Sequence, residues 1–136
     1  MDHFTYKIYK EQNICVITFN VTEFNMREMV LEVERLVLNN ADWVPGMNVL
    51  YDMRSVKEIT SFNYDEARSI SNKEMVPFKI KYGNGKRALV ASNILVYGEL
   101  RMWVLTLITE ERAMICQNLD EAFEWLEIDE PSAIGF

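Results

Sequence analysis

The sequence predicts an α/β fold: a mixed sheet of about five strands, an N-terminal antiparallel hairpin followed by parallel βαβ units, covered by about four helices. Three observations predict it. The C-terminal half runs as strand, helix, strand, helix: apolar Ala88–Ala91, the long apolar segment Ile94 to Ile108, apolar Ala113–Cys116, and amphipathic Leu119 to Leu126. The N-terminal stretches Phe4 to Lys10 and Ile14 to Asn20 flank Glu11-Gln12-Asn13 in the pattern of a hairpin. Between them, Met47 to Met53 is apolar apart from Asn48 and Asp52, as a central strand should be.

Each element has its own signal. In the second strand Cys15, Ile17 and Phe19 share one face, and Ile14, Val16 and Thr18 share the other. A helix is expected from about Met26 to Asn39, with Asn25 as N-cap and Glu28 completing a capping box. Met26, Met29, Val30, Val33, Leu36 and Val37 recur at helical spacing and should face the sheet. A second helix should begin near Asn63, where Asn63-Tyr64-Asp65-Glu66 has a capping pattern, and stop at Pro77. The third, about Val96 to Glu110, has a core stripe of Leu100, Val104, Leu107 and Ile108. Met102, Leu105 and Trp103 lie elsewhere on it, so it needs cover from the last helix or from a second copy in a homodimer. The last helix opens on the box Asn118-Leu119-Asp120-Glu121 and should bury Leu119, Ala122, Phe123 and Leu126, with Glu124 and Glu127 outside.

Composition narrows the function classes. At 136 residues the chain fits one domain, with an ordered core over about 4–128 and an acidic tail over 129–136. With 49% hydrophobic and 26% charged residues it is an ordinary globular chain rather than a disordered one. The formal net charge of −7 disfavours nucleic acid and anionic lipid as partners. After Arg112 the chain carries only acids, namely Asp120, Glu121, Glu124, Glu127, Asp129 and Glu130, the pattern of a solvated face and tail. Lys79, Lys81, Lys86 and Arg87 flank Tyr82-Gly83-Asn84-Gly85, which suggests a flexible basic loop protecting a strand edge or, alternatively, a docking surface for an acidic partner. Cys15 and Cys116 sit in apolar strand patterns and should be buried thiols. Neither has a CxxC partner, and the single histidine, His3, is near the N-terminus, so no metal site or cofactor is expected. Met1-Asp2-His3-Phe4 has no signal-peptide pattern, and Leu100 to Ile108 is too short to span a bilayer. The expected location is the cytoplasm.

In an open α/β sheet, ligands and partners meet the loops after the carboxyl ends of the strands. Those loops are Asp52-Met53-Arg54-Ser55, Ser92-Asn93 and Gln117-Asn118. Asp52 and Arg54, two apart on extended chain, point the same way; they serve either as a structural ion pair or as contacts for a ligand or partner. Tyr64, Asp65, Glu66 and Arg68 contain acid, base and phenol at helical spacing, yet no histidine or activated nucleophile joins them, which argues against catalysis.

Three stretches carry a family likeness: Val49-Leu50-Tyr51-Asp52-Met53-Arg54, Tyr97-Gly98-Glu99-Leu100-Arg101-Met102, and Leu119-Asp120-Glu121-Ala122-Phe123-Glu124-Trp125-Leu126. On these and on its element order, from Phe4 to about Ile128, the chain resembles the SpoIIAA-like (STAS-like) family. These are bacterial domains related to anti-sigma-factor antagonists and likened to lipid-binding Sec14-type domains. The resemblance implies a SpoIIAA-like fold and a partner-binding rim drawn from Asp52, Arg54, Ser55, Thr60, Ser61, Ser92, Asn93, Tyr97 and Arg101. The antagonists carry an Asp-Ser-Ser-Gly motif whose first serine is phosphorylated. Counting from Asp52 without gaps, it falls on Thr60-Ser61-Phe62-Asn63, so Ser61 matches the switch serine, while the acid before it and the Ser-Gly after it are absent. A phosphate there would suit a helix N-terminus; without one, Thr60, Ser61 and Asn63 are ordinary capping residues. The expected function is therefore a non-enzymatic regulatory or protein-interaction domain. The alternative is a carrier of a small apolar molecule or lipid, drawn from the same likeness and from eight methionines and sixteen aromatic residues (seven Phe, six Tyr, three Trp) in one small domain.

Overall fold

Strand-forming runs pair first with their neighbours in the chain, and the hairpin shows how. In a computed structural model, which describes residues 3–60, 64–69, 81–107 and 112–136, β1 (Phe4–Tyr9) pairs antiparallel with β2 (Ile14–Phe19), Phe4 facing Phe19 and Tyr9 facing Ile14. Asn13 closes the turn at φ 55, in the left-handed region that asparagine tolerates, and its N–H donates to the Lys10 carbonyl. β1 alternates half-buried and exposed residues as an edge strand should. β2 does not alternate; β4 (Asn48–Asp52) pairs with it in parallel on its other side, and it is buried on both faces because apolar residues pack against the sheet from above and below.

The remaining strands of the sheet are β6 (Arg87–Val90) and β7 (Ala113–Cys116), both parallel to their neighbours. Among the described residues the sheet is five-stranded and mixed, in the order β1-β2-β4-β6-β7. Each parallel step moves one place in the same direction, so right-handed crossovers put the connecting helices on one face. α1 (Met26–Leu38) and α3 (Ile94–Leu107) both lie there: Met29, Val30, Val33 and Val37 of α1 and Val96 and Leu100 of α3 pack with Cys15, Ile17, Phe19, Val49, Tyr51 and Leu89. α2 (Tyr64–Ser69) packs against α3.

The opposite face is covered differently. Ile14, Val16, Leu50, Ala88, Val90 and Cys116 meet Ala122 of α4 (Leu119–Trp125), then Leu126 and Ile134. The last helix, one of the two covers the sequence offered for α3, therefore cannot supply it, because the sheet stands between them. The core also runs past 128. A single 3₁₀ turn, Pro131–Ile134, buries Ile134 to 2% exposure, and Phe136 packs on Phe123 with centroids 5.4 Å apart. Acids at Asp129 and Glu130 stay in solvent while the apolar residues beyond them return to the sheet.

Three further expectations change. A two-stranded parallel sheet of β3 (Glu23–Asn25) and β5 (Glu58–Thr60) joins the ends of two crossovers and buries Phe24 edge-on against Phe19, 5.1 Å between centroids. Leu36 is exposed, and Glu34 takes its place on the buried side of α1. The basic loop is fastened rather than free: Tyr82 is buried, and a Cβ at Gly85 would stand 2.0 Å from the Met47 carbonyl oxygen. Both capping boxes are present in outline. Asn25 Oδ1 accepts from Glu28 N at 3.1 Å, and Asn118 Oδ1 accepts from Glu121 N at 3.0 Å, while Glu121 Oε2 accepts from the N–H of Gln117 at 3.1 Å. Leu119 and Phe123 are half-buried rather than sealed. Ser61, Asn63, Pro77, Lys79 and Ile108, and the side chains of Tyr64, Glu66, Trp103, Val104, Leu105 and Leu107, lie outside what is described.

Candidate functional site

Register places one row of residues at the carboxyl ends of the parallel strands: Thr18, Asp52, Val90 and Cys116 stand side by side across the sheet. Asp52 is 4% exposed there, and a carboxylate so placed needs partners. Arg54 supplies them from two residues on. Its Nε donates to Oδ1 at 2.9 Å, its Nη2 to Oδ2 at 2.9 Å, and its backbone N–H to Oδ1 at 3.2 Å. This planar two-point bond is the strong form of the interaction. It also holds the guanidinium proton more firmly than usual, through the hydrogen bond to Asp52 first. The pairing expected from the two-residue spacing is present, and the arginine is left exposed at the rim with Ser55 beside it.

Ala91 and Ser92 follow β6 at the same end, and Asn93 then caps α3. Its Oδ1 accepts from Leu95 N at 2.9 Å and Val96 N at 3.2 Å. The cap fixes the phase of the helix. Val96 and Leu100 enter the core at 1% and 0% exposure, so Ile94 and Leu95 are turned out at 69% and 71%. One turn on, Tyr97 is half-buried with the Arg101 guanidinium 5.9 Å from its ring centroid, and Arg101 is exposed. Glu99 lies on the flank toward β5. Burial and then the nearby Glu58 raise its carboxyl, and its Oε2 finds no hydrogen-bond partner among the described residues.

Of the expected rim, Asp52, Arg54, Ser55, Ser92 and Asn93 come together at one end of the sheet, and Tyr97 and Arg101 extend it along α3. Thr60 stands apart. It ends β5, and its hydroxyl donates to the Phe24 carbonyl at 3.5 Å, so its role is to tie the small sheet together. Ser61 falls outside the described residues.

A second polar group went unnoticed in the sequence. Beneath α1 the buried Glu34 has the Tyr51 hydroxyl within hydrogen-bonding reach and the charge of Arg87 nearby. Burial pushes the Glu34 carboxyl up to about 8, against the pull of Arg87 and then Tyr51. Tyr51 is raised as well, by burial first and by Glu34 next. Arg87 in turn lies over the ring of buried Tyr82, whose hydroxyl has no partner among the described residues. A signal existed: Glu34 occupies the apolar phase of α1, next to Val33 and four residues after Val30.

The thiols are sealed. Burial first pushes Cys15 and Cys116 each up to about 12, so neither offers a thiolate at neutral pH. Two clefts flank the C-terminal segment. One, of about 360 Å³, is lined by Gln12, Asn48, Glu127, Asp129 and Glu130 with Ile14 and Ile134; the other, of about 380 Å³, by Lys86, Met114, Glu121, Glu124 and Trp125. Lys86 is already engaged there, 4.7 Å from the Trp125 ring centroid and donating to the Trp125 carbonyl at 3.2 Å. Asp65 and Arg68 of α2 are exposed. Among the described residues no helix is long and apolar enough to cross a membrane. Comparison of the chain with protein-family models, with curated proteins and with solved structures found no match.

Proposed function

We propose that this chain is a non-enzymatic regulatory or protein-interaction domain of the SpoIIAA-like (STAS-like) type, acting through the rim formed by the loop after β4 and the start of α3. One observation carries the reading: Ile94 and Leu95 stand 69% and 71% exposed at the same end of the sheet as the exposed guanidinium of Arg54. Adjacent apolar side chains seldom stay in water at a capped helix start unless something binds them. Arg54, held by Asp52, gives that surface fixed N–H donors with little entropy left to lose. The inert thiols support binding over nucleophilic chemistry.

The test is affinity capture from the host followed by reconstitution with the purified partner. A stoichiometric partner lost in both Arg54→Glu and Leu95→Glu is the expected result. Capture unaffected by either change removes this surface. Native mass spectrometry of the freshly purified protein tests the carrier alternative, and a stoichiometric co-purified lipid would replace the interaction reading.

A further inference from the structure

The two edges of the sheet are finished differently. β1 carries exposed Lys7, whose ammonium lies 5.1 Å from the Tyr9 ring centroid, the kind of charge that keeps an edge from pairing. β7 reads Ala-Met-Ile-Cys and holds no charge. The Ala91 N–H donates to the Cys116 carbonyl at 2.9 Å, so the main-chain groups of Cys116 face β6. By the alternation of extended chain, those of Ile115 and Gln117 face away from the sheet. The Gln117 N–H agrees, being held from outside the ladder by Glu121 Oε2 at 3.1 Å. The Ile115 N–H and C=O and the Gln117 C=O have no hydrogen-bond partner among the described residues. Ala113 is buried, so the open stretch runs from Met114, 39% exposed, to exposed Gln117.

Charge decides the occupant. Glu121, Glu124 and Trp125 share the flank of α4 beside this edge, and with Met114, Lys86 and Glu127 they line the cleft of about 380 Å³. Glu121 meets only the neutral donors Gln117 N–H and Asn118 Nδ2. Glu124 and Glu127 are exposed and form no ion pair among the described residues. Lys86 is spent on the Trp125 ring and carbonyl. A second copy fits poorly. Over residues 110–127, Glu110, Glu111, Asp120, Glu121, Glu124 and Glu127 stand against Arg112 alone, so two β7 edges laid together would join two acidic strips. Pairing with β1 of another copy would supply one lysine, Lys7, and would propagate head to tail without closing.

We propose that β7 takes up an extended segment of another protein, alternating basic and apolar residues, as an added strand. Its main chain pairs with Ile115 and Gln117. On the α4 side, lysine or arginine stems cross Met114 and bring their charges to Glu121 and Glu124; on the other side, apolar residues continue the row of Ile115. This surface is separate from the rim, and the inference does not rest on the reading above.

The full-length chain is titrated with a short labelled peptide of alternating lysine and valine and with one of alternating glutamate and valine, and binding is followed by fluorescence anisotropy. The lysine peptide is expected to bind at least about tenfold tighter, with the preference shrinking at high salt. N-methylation of alternate amides separates strand pairing from plain charge attraction. One set of methyls lowers binding about tenfold or more and the other leaves it unchanged, because only one row of amides faces β7. Ile115→Pro removes the outward donor at an edge, where proline is tolerated, and abolishes binding while circular dichroism stays native. Glu124→Lys, at an exposed position, weakens lysine-peptide binding about tenfold. Arg54→Glu and Leu95→Glu leave the peptide bound. Equal binding of the two peptides, equal effects of the two methylation patterns, or full binding by Glu124→Lys overturns the proposal, even where Ile115→Pro fails to fold. So does loss of the peptide in Arg54→Glu, which would put it on the rim, or self-association in sedimentation that Ile115→Pro releases.

Discussion

The guanidinium carbon of Arg87 lies 3.4 Å from the centroid of the Tyr82 ring, and the charge of the same residue pulls on buried Glu34. One arginine thus serves the fastened loop and the interior polar group at once. Replacing it with methionine keeps the apolar stem and removes both interactions. Arg87→Met is expected to lower stability by about 1–3 kcal/mol, as the loss of a partly desolvated cation–π contact and of a buried charge partner together suggest. Urea denaturation measures it, and a change within 0.5 kcal/mol, on the scale of ordinary surface substitutions, would show that the stacking has no energetic consequence.

Glu34 makes stability depend on pH. Its folded value, raised to about 8 mainly by burial, lies above the unfolded carboxyl near 4.3. Between these limits the folded state holds a proton that the unfolded state has lost, so stability falls as pH rises. The contribution is fully present below about 4.3 and gone above about 8, with a limiting slope of about 1.4 kcal/mol per pH unit. Glu34→Gln should flatten this fall and make the protein more stable than the parent at pH 8 by roughly 2–4 kcal/mol. Parallel curves for parent and variant from about pH 5 to 8, a range lying between the two values, would contradict the assignment.

The fork between Asp52 and Arg54 is asymmetric, because the carboxylate is buried and the guanidinium is not. Arg54→Ala strands the carboxylate and is expected to cost about 1–3 kcal/mol. Asp52→Asn keeps an oxygen for the Arg54 N–H and should cost about 1 kcal/mol or less. Chemical denaturation ranks the two, and the reverse order would mean that the carboxylate's own charge, rather than its need for the guanidinium, anchors the rim.

Ile134 tests whether the C-terminal segment is structural. At 2% exposure against Ile14, Val16 and Leu50, truncation to alanine should cost about 2–5 kcal/mol. Ile134→Ala with an unchanged melting temperature would place this residue outside the cooperative core.

Cys15 and Cys116 report on opening. Both are buried and pushed up to about 12, so a disulfide reagent at neutral pH should leave the native protein unlabelled and label both thiols once it is unfolded. Rapid labelling of either thiol under native conditions would show that its side of the sheet opens locally.

What was legible in the sequence followed from periodicity. β2, β4, β6 and β7 are apolar runs of strand length, and the caps at Asn25 and Asn118 mark helix starts by side-chain chemistry alone. The Asp52–Arg54 pair could be read from the two-residue repeat of extended chain. The β3/β5 sheet could not, because three residues per strand carry no period. Leu36 and Glu34 were exchanged because both fit a helical stripe on hydrophobicity rules that place charge outside, and only the third dimension shows Arg87 and Tyr51 waiting beneath. The C-terminal turn was masked by its acids: Asp129 and Glu130 resemble a tail, while Ile134 and Phe136 return to the sheet.

Since α1 and α3 both lie on one side of the sheet, the other side waits for residues 119–136, which follow the last strand in the chain. Until they emerge, Ile14, Val16, Leu50, Ala88 and Val90 form a bare adhesive plane, the kind of surface that nascent-chain chaperones shield. A chain ending before Leu119 should therefore be aggregation-prone and protease-sensitive, and restoring residues 119–136 should relieve both.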